Sequence, residues 1–162
     1  MAGKPRRKNK RMSVPKSLRK EGKLEVQTKM YDLASLTDKM CSNEHIFLKR
    51  NRWCITKALV DCIHEAAVNV DIANFTKLNE NFAKDRLEYQ TRAFRKLIEA
   101  ETLMEIAYRD NYNENKGCST IPDTTIVNWL KSLEETRTLV RKWIASDKKR
   151  LKDHLENDGS NS

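Results

Sequence analysis

Between residues 18 and 42, Leu24, Met30, Tyr31, Leu33, Ala34, Leu36, Met40 and Cys41 return at the intervals that line one face of an α-helix, and the polar triplet at 42–44 ends the pattern. A second helix is predicted over about 49–77, where Ile55, Leu59, Cys62, Ala66, Val70 and Ala73 advance by three or four residues. Phe82, Leu87, Phe94, Leu97, Ile98, Met104, Ala107 and Tyr108 mark the buried side of a third, over about 80–112. The polar run NYNENKGCS follows, with Gly117 free to turn left-handed. A fourth helix is expected from Pro122 onward, with Asp123 or Thr124 as its N-cap. The stripe Ile126, Leu130, Leu133, Arg137, Val140, Ile144, Asp147 and Leu151 carries it to about 155.

Long helices joined by short connections pack against antiparallel neighbours, so the pattern predicts an all-α, up-down-up-down four-helix bundle over 18–155 with a flexible tail at 156–162. Few Gly (4) and Pro (3) residues suit this class, and a chain of 162 residues has room for one domain.

Charge changes the picture. Positions 1–20 hold nine basic residues and no acid; removing those nine from the 32 Lys and Arg leaves 23, against 23 Asp and Glu. The net charge of +9 therefore sits in the N-terminal stretch. Residues 1–17 are too poor in apolar side chains to offset the entropy of ordering, and are expected to form a disordered basic arm. Arg6, Arg7, Lys8, Lys10 and Arg11 in that arm favour a polyanion, nucleic acid first and acidic lipid second. No apolar run is long enough for a signal peptide or membrane span, so a soluble, cytoplasmic protein with no membrane association is expected.

Further basic clusters lie at Lys49, Arg50, Arg52 and Lys57, at Lys84, Arg86, Arg92, Arg95 and Lys96, and at Arg141, Lys142, Lys148, Lys149 and Arg150. Arg92 and Lys96 stand four apart, a mutual repulsion that an anionic partner would relieve. Each cluster alone reads as a solvated helix face; three of them beside a basic arm point to nucleic acid, with phosphates held by charge and little base readout. Arg137 and Asp147 interrupt an apolar stripe, so each needs an internal partner or a subunit contact. Trp53 and Trp143 are candidate interface anchors, with a place at the core edge as the commoner alternative.

Catalysis has no visible seat. Cys41, Cys54, Cys62 and Cys118 form no CxxC pair, His45, His64 and His154 are isolated, and no glycine-rich phosphate loop or spaced acidic set is present. Neither metal nor cofactor is expected, and the reduced cysteines are expected to pack mostly as small apolar residues.

The stretches EGKLEVQTKMYDLASLTDKMCSNEHIF, RWCITKALVDCIHEAAVNV, RLEYQTRAFRKLIEAETLMEIAYR and VNWLKSLEETRTLVRKWIASDKKR resemble the accessory variability determinant (Avd) proteins of diversity-generating retroelements. These stand in a four-helix-bundle group with the proteins encoded in intervening sequences of bacterial 23S ribosomal RNA genes. The resemblance covers about 18–152 and is most specific at Arg137, Leu139, Val140, Arg141, Lys142, Trp143 and the SDKKR run of 146–150. It implies a homopentameric ring and a non-enzymatic partner of the reverse transcriptase that contacts template RNA and RNA–DNA hybrid during mutagenic cDNA synthesis. In such a ring Arg137, Asp147, Trp143 and Trp53 would sit at subunit contacts. Two other readings stand beside it: a structural helical oligomer with general nucleic-acid affinity, and a small metal or thiol enzyme.

Overall fold

The computed structural model describes residues 23–47, 52–79, 81–113 and 117–159, so the basic arm lies outside the described residues. Four helices follow in order: α1 (Lys23–Ser42), α2 (Lys57–Phe75), α3 (Ala83–Asp110) and α4 (Asp123–Gly159). A π-helical turn, Arg52–Thr56, leads into α2. Before α4, β1 (Tyr112–Asn113) and β2 (Cys118–Ser119) pair antiparallel, Tyr112 opposite Ser119. Gly117 takes a φ of 63°, the left-handed geometry that needs no Cβ.

The helix ends differ from the expected bounds for local reasons. Thr76 swings to an extended ψ of 125° and stops α2. At the start of α4 the carbonyl of Pro122 accepts the N–H groups of Thr125 (2.9 Å) and Ile126 (3.1 Å), which puts Asp123 inside the helix. Neither Asp123 nor Thr124 is the N-cap, and the Asp123 carboxylate instead accepts the Tyr108 hydroxyl at 2.6 Å. Helix α4 continues through 156–159.

Each helix touches two sequence or end neighbours, α1 with α2 and α4, α3 with α2 and α4, which closes an up-down bundle. Cross-links set the antiparallel sense: Thr37 meets Trp129 while Lys29 meets Glu135, so one number rises as the other falls. Between α1 and α2, Asp71 accepts Gln27 Nε2 (2.9 Å) and Tyr31 Oη (2.6 Å), and His64 faces Asp38 at 3.0 Å.

The buried positions follow a three–four alternation. On α4 they are Ile126, Trp129, Leu133, Thr136, Val140, Trp143 and Asp147; on α3, Ala83, Arg86, Gln90, Ala93, Leu97, Ala100, Met104 and Ala107. Such a heptad seam keeps one face toward its neighbours along a long helix. The α4 seam departs from the expected stripe by one residue at alternate positions, with Trp129, Thr136 and Trp143 buried while Leu130, Arg137 and Ile144 are half-buried beside them. On α3, Phe82 and Ile98, expected inside, are exposed. Alanines recur every seventh position, Ala66 and Ala73 on α2 and Ala93, Ala100 and Ala107 on α3, and small side chains let two backbones approach closely. The α2–α3 contact is accordingly the most extensive of the four.

At the end where α4 starts, Trp129 is fully buried, donates its Nε1–H to Thr37 Oγ1 (3.0 Å) and meets the Phe47 ring edge-on at 6.5 Å. Thr120 Oγ1, 3.0 Å from the Ile46 carbonyl, ties the hairpin to the residues after α1. At 37 residues α4 is about 55 Å long against about 28 Å for the 19 residues of α2, so it is the longest rod of the bundle.

Leu133 is fully buried on the α4 seam, and Leu133→Ala is expected to cost about 2–5 kcal/mol, read from denaturant midpoints. The Asp71 hydrogen bond, with burial second, pushes the Tyr31 hydroxyl up to about 12 from 10.0. The clamp's contribution is therefore complete below pH 10 and is lost as pH rises through about 12. Between those values wild type should lose more stability than Tyr31→Phe, and equal losses would rule out the clamp.

Candidate nucleic-acid interface

The sequence-predicted cations separate into three environments. Arg86 is the first correction: it is 1 % exposed and faces the core, because it occupies a seam position of α3. Its Nε–H donates to Asp147 Oδ2 at 2.6 Å. Its Nη1 donates to the carbonyls of Ala73 (2.8 Å) and Thr76 (2.6 Å), closing the end of α2. The Trp143 ring lies 5.1 Å from the guanidinium carbon, and Gln90 Nε2 donates to Asp147 Oδ2 at 2.7 Å. Arg86 is thus committed within the chain and is unavailable to phosphate.

The same node corrects two interface expectations. Asp147 is fully buried and Trp143 is 6 % exposed, so both face this chain's own α3 rather than a neighbouring subunit. Arg137 also finds its acids at home, pairing with Glu101 of α3 and Glu134 of α4. Burial works against the Arg137 charge, but hydrogen bonds to those two carboxylates and their charges raise its pKa. Trp53 alone of the four stands free, 82 % exposed on the π-helical turn.

On α3 the remaining cations are largely neutralised. Arg92 pairs with Glu88 and lies over the Tyr89 ring at 5.3 Å. Lys96 is held by Glu65 and Glu99, both at 2.9 Å, and the hydrogen bonds it donates to these two, Glu65 first, push its ammonium pKa upward. The expected repulsion between Arg92 and Lys96 is relieved inside the chain. Arg95 is exposed with no ion-pair partner among the described residues. All three border an open cleft of about 590 Å³ between α2 and α3 whose other lining includes Asp61 and Glu65, a surface of mixed sign.

The second half of α4 is different. Val140, Trp143 and Asp147 point inward, which turns Arg141, Lys142, Lys148, Lys149 and Arg150 to solvent. From 141 to 152 the one acid is Asp147, and it is buried. Arg141, Lys142, Lys148 and Lys149 have no ion-pair partner among the described residues, and Arg150 reaches only the edge of Asp147, 3.9 Å away. Five cations on about 15 Å of one rod make a strip of positive potential on its outer face.

Arg6, Arg7, Lys8, Lys10 and Arg11 lie outside the described residues. Among the described residues no three His, Cys, Asp or Glu side chains come together as a metal site, and no helix is long and apolar enough to cross a membrane. Burial pushes the thiols of Cys41 and Cys62 up to about 12, away from the thiolate form, while Cys54 and Cys118 are exposed and free.

Sequence reasoning passed over an exposed apolar ridge on α2: Val68 (56 %), Ile72 (38 %) and Phe75 (82 %), with Phe82 (50 %) just beyond. Its signal was available as apolar residues at i, i+4 and i+7 on the side opposite the core stripe. No known family profile matches the chain, and no curated protein matches it.

Removing one partner of the buried pair leaves an uncompensated charge, so Arg86→Ala is expected to destabilise by about 3–5 kcal/mol. Arg86→Ala combined with Asp147→Ala should cost less than the two single changes together. Additive costs in thermal or urea melts would show that the two side chains do not interact.

Proposed function

We propose that this chain is a non-catalytic accessory subunit of a diversity-generating retroelement, binding the reverse transcriptase and its template RNA, and the RNA–DNA hybrid formed with the cDNA, to support mutagenic cDNA synthesis. The observation that carries the reading is the strip Arg141, Lys142, Lys148, Lys149 and Arg150, of which the first four have no ion-pair partner among the described residues and Arg150 reaches only the edge of Asp147. The four-helix architecture and the resemblance of residues 18–152 to Avd proteins support it. Lysines and arginines set along a straight helix hold phosphates as point charges and forks, and carry little base information.

Arg95 is a further unpaired cation among the described residues, on the cleft between α2 and α3. Arg92 and Lys96 contribute less, because an incoming phosphate must compete with Glu88, Glu65 and Glu99. A ring of several copies, a homopentamer on the family resemblance, multiplies the strip and adds weak contacts through avidity. The exposed ridge Val68, Ile72, Phe75 supports self-association as such, and with it the second reading of a structural helical oligomer with general nucleic-acid affinity and no polymerase partner.

Two measurements test the reading. Replacing Lys148, Lys149 and Arg150 together by Ala should weaken RNA binding and lower the salt slope by about two units, at about 0.7 for each single-strand phosphate no longer neutralised. Binding equal to wild type at matched salt would mean that the strip is merely solvated. Co-expression with the reverse transcriptase and template RNA of the same locus should give a complex with several copies of this chain per polymerase and RNA retained after a salt wash. A bare oligomer would leave the structural reading.

A further inference from the structure

Four buried side-chain polar atoms have no hydrogen-bond partner among the described residues: Arg86 Nη2, Gln90 Oε1, Trp143 Nε1 and Asp147 Oδ1. All four belong to one node. Arg86 Nε and Gln90 Nε2 already converge on Asp147 Oδ2, at 2.6 and 2.7 Å, and the Arg86 guanidinium carbon is 5.1 Å from the Trp143 ring. Arg86 and Gln90 stand one turn apart on α3, Trp143 and Asp147 one turn apart on α4, and none of the four is more than 6 % exposed.

Orphaned polar atoms in a core are costly, and nearly all such atoms in folded proteins are bonded to protein or to ordered water. Here the four complement one another. Arg86 Nη2 and Trp143 Nε1 can only donate, while the Asp147 carboxylate oxygen and Gln90 Oε1 can only accept. The sense of the Gln90 amide follows from its neighbour, because turning it over would set Oε1 against Asp147 Oδ2, acceptor against acceptor. Each helix therefore supplies one donor and one acceptor.

That balance selects the ligand. A metal or ammonium ion would leave both donors unanswered, and an anion such as chloride would leave both acceptors unanswered. Charge draws in neither, since Arg86 and Asp147 offset each other. Water accepts two hydrogen bonds and donates two. We propose that one buried water molecule bridges α3 and α4 at this node, accepting from Arg86 Nη2 and Trp143 Nε1 and donating to Gln90 Oε1 and Asp147 Oδ1.

One other cation stands near. Arg150 Nη1 is 3.9 Å from Asp147 Oδ1, beyond hydrogen-bond reach, and the Arg150 side chain is 54 % exposed. With Oδ1 answered by water inside the node, Asp147 stays turned inward and Arg150 stays on the outer face of α4. This water is independent of the nucleic-acid reading: it would be present if the chain bound no RNA.

The test uses the full chain with isotope-labelled tryptophan. In NOE and ROE spectra the Trp143 indole N–H should give a cross-peak to water of opposite sign in the two experiments, the mark of a long-lived water. Trp143→Phe should remove that signal and so assign it. The exposed Trp53 indole meets fast-exchanging solvent and should lack the sign reversal. Should Trp143→Phe fail to fold, a crystal structure with ordered solvent reads the same place, with one water expected about 2.7–3.2 Å from at least three of the four atoms. If instead Arg86 Nη2 bonds Asp147 Oδ1 and the Trp143 indole bonds Gln90 Oε1 directly, with no water cross-peak, the bridge is overturned. A protein side chain from elsewhere in that place, or no density there, overturns it equally.

Discussion

A guanidinium with 1 % exposure must find acceptors inside the fold, and Arg86 finds them for Nε and Nη1 by joining three helices, while its buried Nη2 has none among the described residues. From its place on α3 it bonds Asp147 on α4 and closes the carbonyls at the end of α2, with the Trp143 ring against its face. Burying two charges costs free energy that hydrophobic residues of the same volume would not, so the pair is poor at adding stability. What it supplies is register. A slip of either helix by one residue leaves both charges alone in a low-dielectric core.

That constraint also shapes the surface. Because Asp147 is turned inward, the outer face of α4 from 141 to 152 loses its one acid and becomes uniformly cationic. On α3 the opposite happens: its own Glu88 and Glu99, with Glu65 of α2, stay outside and neutralise Arg92 and Lys96. Two basic runs of similar composition thus acquire different electrostatic character, one a strip of open positive charge and the other a cleft of mixed sign.

The packing separates rigid from adaptable parts. The alanine seam of α2 and α3 and the buried Trp129, Phe47 and Thr37 hold the bundle where substitution is most costly. The features left facing water, Trp53 on its turn and the ridge of Val68, Ile72 and Phe75, stand on this frame with little to hold them but the helix backbone. The backbone beneath them is already ordered, so covering them would cost side-chain freedom and little backbone entropy.

Helical periodicity, low glycine and proline content and short connections determined the class, the helix number and the antiparallel order, because these depend on spacing repeated over dozens of residues. The cationic run of α4 was legible for the same reason: seven Lys and Arg between 137 and 152 leave most of the outer face basic whatever the rotation of the helix. Single positions were not legible. Arg137 and Thr136, or Ile144 and Trp143, differ by one step of about 100°, and apolar spacing alone could not say which of each pair points inward. That choice depends on what the neighbouring helix presents: Thr136 meets the α1 backbone, and Trp143 meets Arg86. Only the tertiary structure decided that Arg86 and Asp147 belong to the core, because a charge enters a core when a partner arrives from another helix, and that partner lies 61 positions away along the chain.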